Sequence, residues 1–151
     1  MRLRLFPTLH APSEARRALA PLAARLDEES LADLRSVVSE LVGISVAHGA
    51  TRPIYISLTL SEGSIEGTVY DEGPGARAIA RARERRDDSL VLRIVEPLVD
   101  DWGTNPTRTR IWFRLGVRPR KPTRDRSVGD GAARGGADRR RVLRHHPGAE
   151  G

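Results

Sequence analysis

The sequence predicts an α+β fold: a two-layer α/β sandwich in which helices cover one face of a mostly antiparallel mixed sheet. Three observations carry this. Apolar residues alternate along 54–60 and again along 65–69, with Ser61-Glu62-Gly63 between them, the pattern of an antiparallel hairpin. Ahead of the hairpin, Leu31, Leu34, Val37, Val38, Leu41, Val42 and Ser45 recur with the 3.6-residue period of an amphipathic helix. Behind it, a second helical pattern leads into a closing alternating run, Ile111, Phe113 and Leu115.

In chain order, Met1 to Phe6 alternates Leu3 and Leu5 against Arg2 and Arg4 and reads as a first strand, ended by Pro7. A helix opens at Pro12-Ser13-Glu14 with Ser13 as N-cap, carries Leu19, Leu22 and Leu26 as its apolar stripe, and bends at Pro21. Ser30 caps the long helix, with Asp33 as an acidic capping-box partner. That helix runs to about His48 and stops at Gly49. Ala76 to Asp87, rich in arginine and alanine, reads as a loop or short exposed helix. Ser89 to Val99 reads as a helix distorted at Pro97 and closed by Asp101-Trp102-Gly103, before the last strand, Thr109 to Leu115.

Length and composition bound the function. A chain of 151 residues suits one folded domain. It has no cysteine, which excludes disulfides, cysteine-ligated zinc and thiol catalysis. No apolar run approaches the roughly eighteen residues of a membrane span, and the first residues have no signal-peptide pattern, so a cytoplasmic protein without membrane contact is expected. Residues 117–151 hold 10 of the 26 Lys and Arg and 4 of the 20 Asp and Glu, so the whole formal charge of +6 lies there. The segment is dominated by Arg, Gly, Asp, Ala and Pro, and reads as a disordered basic tail after a folded unit of residues 1–116. It has no aromatic residue to stack on bases, so no specific nucleic acid is expected as partner.

The chemistry concentrates at Asp71-Glu72-Gly73-Pro74-Gly75, which follows the second hairpin strand. An acid at the end of a strand, followed by two glycines, brings backbone close to a ligand. An Asx-turn at Asp71 and a plain glycine loop are compatible with the same residues. Glu40 stands on a helix otherwise apolar around it, which calls for a function or an ion-pair partner. His48 suits the negative end of that helix.

Set side by side, Ser39-Glu40-Leu41-Val42 with His48-Gly49, Val69-Tyr70-Asp71-Glu72-Gly73-Pro74-Gly75, Leu92-Arg93-Ile94-Val95-Glu96-Pro97-Leu98 with Trp102-Gly103, and Thr109-Arg110-Ile111-Trp112-Phe113 resemble the GHKL (Bergerat-fold) histidine-kinase-like ATPase domains. Within them the chain is most similar to bacterial anti-sigma-factor serine kinases. The resemblance covers roughly residues 1–116. It implies ATP as cofactor, Asp71 accepting a hydrogen bond from the adenine amino group, Gly73, Gly75 and Thr109 at the nucleotide, and Glu40 as the general base of phosphate transfer. It also implies a sigma factor or anti-anti-sigma factor as partner, and a homodimer. The chain departs from the family at the metal and phosphate end. Ile44 occupies the position of the asparagine that holds magnesium, Ser89-Leu90-Val91 replaces phosphate-loop glycines, and Arg108 replaces a glycine. Arginines 77, 81, 83, 85 and 86 lie where the lid belongs, as a solvated run or as phosphate ligands. The expectation is an ATP-binding regulator with weak or absent catalysis and no metal site. The alternative is a nucleotide-independent interaction module.

Overall fold

Five strands form one sheet in the order β1-β2-β3-β5-β4, where β1 is Arg2–Leu5, β2 Ile54–Ser61, β3 Ser64–Tyr70, β4 Asp101–Asn105 and β5 Arg110–Gly116. The computed structural model describes residues 1–72, 75, 77–79, 81, 90–105 and 109–120, with only the backbone for 90–92. Among the described residues every strand pair is antiparallel, so the sheet they form is not mixed. The two-layer α+β arrangement is as the patterns require. Among the described residues no helix is long and apolar enough to cross a membrane.

The hairpin register follows from its alternation. Tyr55 faces Tyr70, and Ser61 faces Ser64 across the turn, where Gly63 takes φ of 75°. One side of the sheet then presents Ile54, Ile56, Leu58, Ile65, Val69, Ile111, Phe113 and Leu115, all buried. Gly67 pairs with Phe113, and a Cβ on Gly67 would overlap the phenyl ring. A glycine in mid-strand weakens a sheet. Here it makes room for Phe113, the largest of the fully buried side chains among the described residues.

Helix α2 (Glu28–Ala47) supplies the opposing layer through Leu34, Val37, Val38, Leu41 and Val42, none of them accessible to solvent. Its cap is Asp27, whose Oδ1 accepts from the Ser30 amide at 2.9 Å, rather than the expected Ser30. An N-cap must lie outside the helix, and the helical turn already includes Glu28. Ser30 is buried and has a different use: its Oγ accepts from the Arg118 amide at 2.9 Å. Gly49, with φ of 81°, follows His48 as foreseen.

Helix α1 (Ala11–Ala18) starts without a side-chain cap, and Ser13 lies inside its first turn. Pro21 does more than bend it. The α-helix ends before Leu19, and Ala20–Ala24 forms a 3-10 turn, because proline lacks the donor an α-helix needs and collides with the carbonyl one turn back. Helix α3 (Leu90–Val95) likewise passes into a 3-10 turn, Glu96–Leu98, that contains Pro97.

Two features depart from the sequence reading. Residues 101–105 are not a helix terminator but the edge strand β4, with Trp102 opposite Phe113. The basic tail does not begin at residue 117. Val117 is buried, Leu26 and Pro119 form an isolated β-bridge, and the Asp27 and Arg120 amides donate to the Arg118 and Arg25 carbonyls. Residues 117–120 thus strap the last strand to the start of α2, and the remainder of the expected tail lies outside the described residues.

Candidate functional site

The end of β3 delivers Asp71 to a place closed on several sides. Its side chain is only 2% exposed. Behind it runs α2, from which Ser45, fully buried, presents its hydroxyl. That hydroxyl hydrogen-bonds the Asp71 carboxylate and also lies 3.3 Å from the Leu41 carbonyl one turn back. From the other side comes Gly75, helical and buried, whose backbone N–H donates to the same carboxylate. A Cβ on Gly75 would overlap the carboxylate and lie 3.2 Å from both Cα and Oγ of Ser45. Only glycine lets the chain pass here.

Burial pushes the Asp71 carboxyl above its ordinary value. The Ser45 and Gly75 hydrogen bonds, its own amide and the charge of His48 oppose that shift without cancelling it. The backbone is closed from the β5 side as well, where the Asp71 amide donates to the Thr109 carbonyl at 3.4 Å. Thr109 has φ of 47°. A β-branched residue in the left-handed region is strained, and such strain collects at functional sites. Glu72, beside Asp71, forms a surface ion pair with Arg52 at 3.0 Å. The pair ties this corner to the segment that leaves α2, at a worth of at most about 1 kcal/mol.

The structure therefore brings Asp71, Gly75 and Thr109 together and adds Ser45, which the sequence reading placed in the apolar stripe of α2. A hydroxyl in that stripe was the available signal. Gly73 lies outside the described residues, as do Ser89, Arg108 and Arg83, Arg85 and Arg86. Arg77 and Arg81 are exposed. Glu40 is half-exposed on α2, one turn before Ile44, and Ile44 is 5% exposed among aliphatic neighbours. Among the described residues there is no group of three His, Cys, Asp or Glu side chains suited to a metal ion. A buried carboxylate with a hydroxyl beside it and bare backbone in front can accept hydrogen bonds from an amino donor on a flat ligand.

Comparison with known proteins bears on the family and the fold. The profile of the histidine kinase-like ATPase domain matches residues 7–115. The chain is similar to the anti-sigma F factor of Oceanobacillus iheyensis, 38% identical over 76 residues that cover 46% of this chain and 52% of that protein. The anti-sigma F factor of Bacillus thuringiensis is 37% identical over 78 residues, covering 48% and 53%. The chain thus spans about half the length of the curated relatives it matches. Its fold is similar to that of the RsbU and RsbW domains of Rv1364c from Mycobacterium tuberculosis, with a TM-score of 0.58 and 23% identity, covering 82% of this chain and 34% of that one.

Proposed function

The chain belongs to the histidine kinase-like ATPase domain family, and from that premise we propose that it is a nucleotide-binding regulator of the anti-sigma type, with adenine held at Asp71 and phosphate transfer weak or absent. The observation that carries this reading is the enclosure of the Asp71 carboxylate by Ser45 and Gly75. Desolvating a carboxylate costs free energy unless a donor meets it, and the exocyclic amino group of adenine is such a donor. The residues fit that end of ATP or ADP. They do not fit a magnesium ion, because Ile44 offers an aliphatic chain where a hard cation needs oxygen. Glu40 keeps the position of a general base and would serve a serine hydroxyl of a partner protein. Arg77 and Arg81 would meet phosphate directly. The partner proposed from the anti-sigma relatives is a sigma factor or an anti-anti-sigma factor, with the domain acting in the cytoplasm and able to pair with a second copy.

Calorimetric titration of ADP and ATP, each with and without magnesium, tests the proposal on the wild type and Asp71→Asn. Binding that changes little with magnesium and weakens at least tenfold in the variant is expected. Absence of any binding by the wild type at millimolar nucleotide overturns the reading. It would favour the second one, a nucleotide-independent interaction module, which the aliphatic burial of Ile44 also suits. Phosphate transfer to a partner that disappears in Glu40→Ala would instead establish an active protein-serine kinase.

A further inference from the structure

Residues 1–116 carry no net formal charge, but that sum hides its distribution over the sheet. No described helix packs against the outer face. Register places Arg4, Tyr55, Tyr70 and Arg110 in one row across β1, β2, β3 and β5, and Arg2, Ser57, Thr68 and Trp112 in the next. Neither row contains an acid; Glu66 comes only in the third. Four of the six aromatic residues of the chain lie on this side. Tyr55 is 41% exposed, Trp112 38% and Phe6 61%, and Tyr70 is half-buried with its ring 6.1 Å from that of Tyr55. Arg2, Arg4 and Arg110 are exposed and form no ion pair with a described residue, although Arg4 sits 5.3 Å over the Phe6 ring.

Trp112 is mounted as a platform. Its indole lies over Gly103 on the edge strand, where a Cβ would come within 2.8 Å of Cε2, Cζ2 and Nε1. One side of the ring is backed by bare backbone, and Trp112 as a whole is 38% exposed. Beside Tyr55 and Tyr70, a groove of about 340 Å³ is lined by Arg2, Tyr55, Ser57, Thr68, Tyr70 and Arg110. Tyr55 and Trp112 stand two strands and two residues apart, on the order of 12 Å, which leaves each ring free for a different base.

We propose that this face binds single-stranded RNA, with bases stacked on Tyr55 and Trp112 and phosphates paired with Arg2, Arg4 and Arg110. Exposed rings on an open antiparallel sheet accept bases of any identity, and flanking arginines neutralise the backbone. Charge decides against a second copy of the chain, because stacking the aromatic rows on each other would bring both copies' Arg2, Arg4 and Arg110 into one layer. An acidic peptide would satisfy the arginines but gives no reason for rings held open. Ser57 and Thr68, paired across β2 and β3, supply hydroxyls for a ribose 2′-OH, and so commit the face to RNA.

The test is titration of the full chain with a uridine decamer and a deoxyuridine decamer, reading both oligonucleotide anisotropy and tryptophan fluorescence. Trp102 is buried, so quenching reports on Trp112. Quenching should accompany binding, with about tenfold weaker affinity in Tyr55→Ala, the loss that one stacked base supplies. Arg110→Glu should weaken binding further, with thermal melting confirming that both variants fold, and Trp112→Phe should retain most of the affinity. Anisotropy that rises without quenching and ignores Tyr55→Ala would assign the binding to the basic segment beyond residue 120 and overturn the proposal. Equal affinity for the deoxy oligonucleotide would overturn the assignment to RNA. A chain that ignores both oligonucleotides would overturn the proposal, and a doubled mass by sedimentation that Arg110→Glu or Tyr55→Ala alters would make the face a self-interface instead.

Discussion

Gly75 sets its backbone against the Asp71 carboxylate so closely that a single methyl group on Gly75 would overlap it. Gly75→Ala should therefore push the segment off Asp71 and open the back wall formed by Ser45. The expected cost is about 1–3 kcal/mol of stability, as for other overpacked sites. Nucleotide affinity should fall at least tenfold. Thermal melting and calorimetry on the same preparation check both effects, and unchanged binding would show that the wall is not part of the site.

Asp71 gives stability a pH dependence whose sign can be worked out. Its carboxyl is raised in the folded chain by burial, while the unfolded chain titrates near the ordinary value of about 3.9. Between the two, the folded state holds a proton that the unfolded state has lost. This group's contribution therefore declines as pH rises through that window and stays lowered above it. Asp71→Asn carries no charge at any pH. It should melt higher than the wild type at neutral pH, with the difference closing as pH falls toward about 4. A gap that is constant with pH would show that the variant acts through packing alone.

Thr109 is held at φ of 47°, a conformation that costs a non-glycine residue roughly 1–2 kcal/mol. Thr109→Gly should relieve the strain and raise the urea midpoint, less the entropy glycine adds to the unfolded chain. If its hydroxyl serves a nucleotide, the same variant should bind more weakly although it is more stable. A lower midpoint would mean that the threonine side chain makes contacts that outweigh its strain.

The strap depends on Ser30 and Asp27. Ser30→Ala leaves the Arg118 amide without its acceptor, and Asp27→Ala removes the cap of α2. Each should cost about 1 kcal/mol in urea denaturation. Because both groups serve one turn of helix, the double variant should fall short of, or exceed, the sum by a measurable coupling.

Gly67 and Phe113 form the clearest core test. Gly67→Ala alone should destabilise severely, because the new methyl meets the ring. Phe113→Leu should recover part of that loss in the double variant. A double variant no better than either single change would show that the strand, rather than the ring, absorbs the clash.

Much of this was legible in the residues, and the exceptions have physical reasons. The hairpin announced itself because both of its strands bury alternate side chains. Asp71, Gly75 and Thr109 were named before any geometry, each as one part of a familiar order of motifs. Strand β4 was not legible: in Asp-Trp-Gly-Thr-Asn only Trp102 is a large apolar residue, and the glycine at 103 answers to Trp112, which rests on it from the neighbouring strand. Ser45 is not legible as a partner of Asp71, because the two meet only where the end of β3 reaches α2. The strap was hidden by composition, since Val117 and Pro119 stand at the head of a segment rich in arginine and glycine.

Helix α2 also works as a spacer between two poles. Ser30, which holds the strap, and Ser45, which meets Asp71, lie fifteen residues apart on one helix, about 22 Å at the α-helical rise. The strap of residues 117–120 therefore lies at the opposite pole of α2 from the buried carboxylate. A ligand at Asp71, as proposed, would therefore not crowd the strap at Ser30.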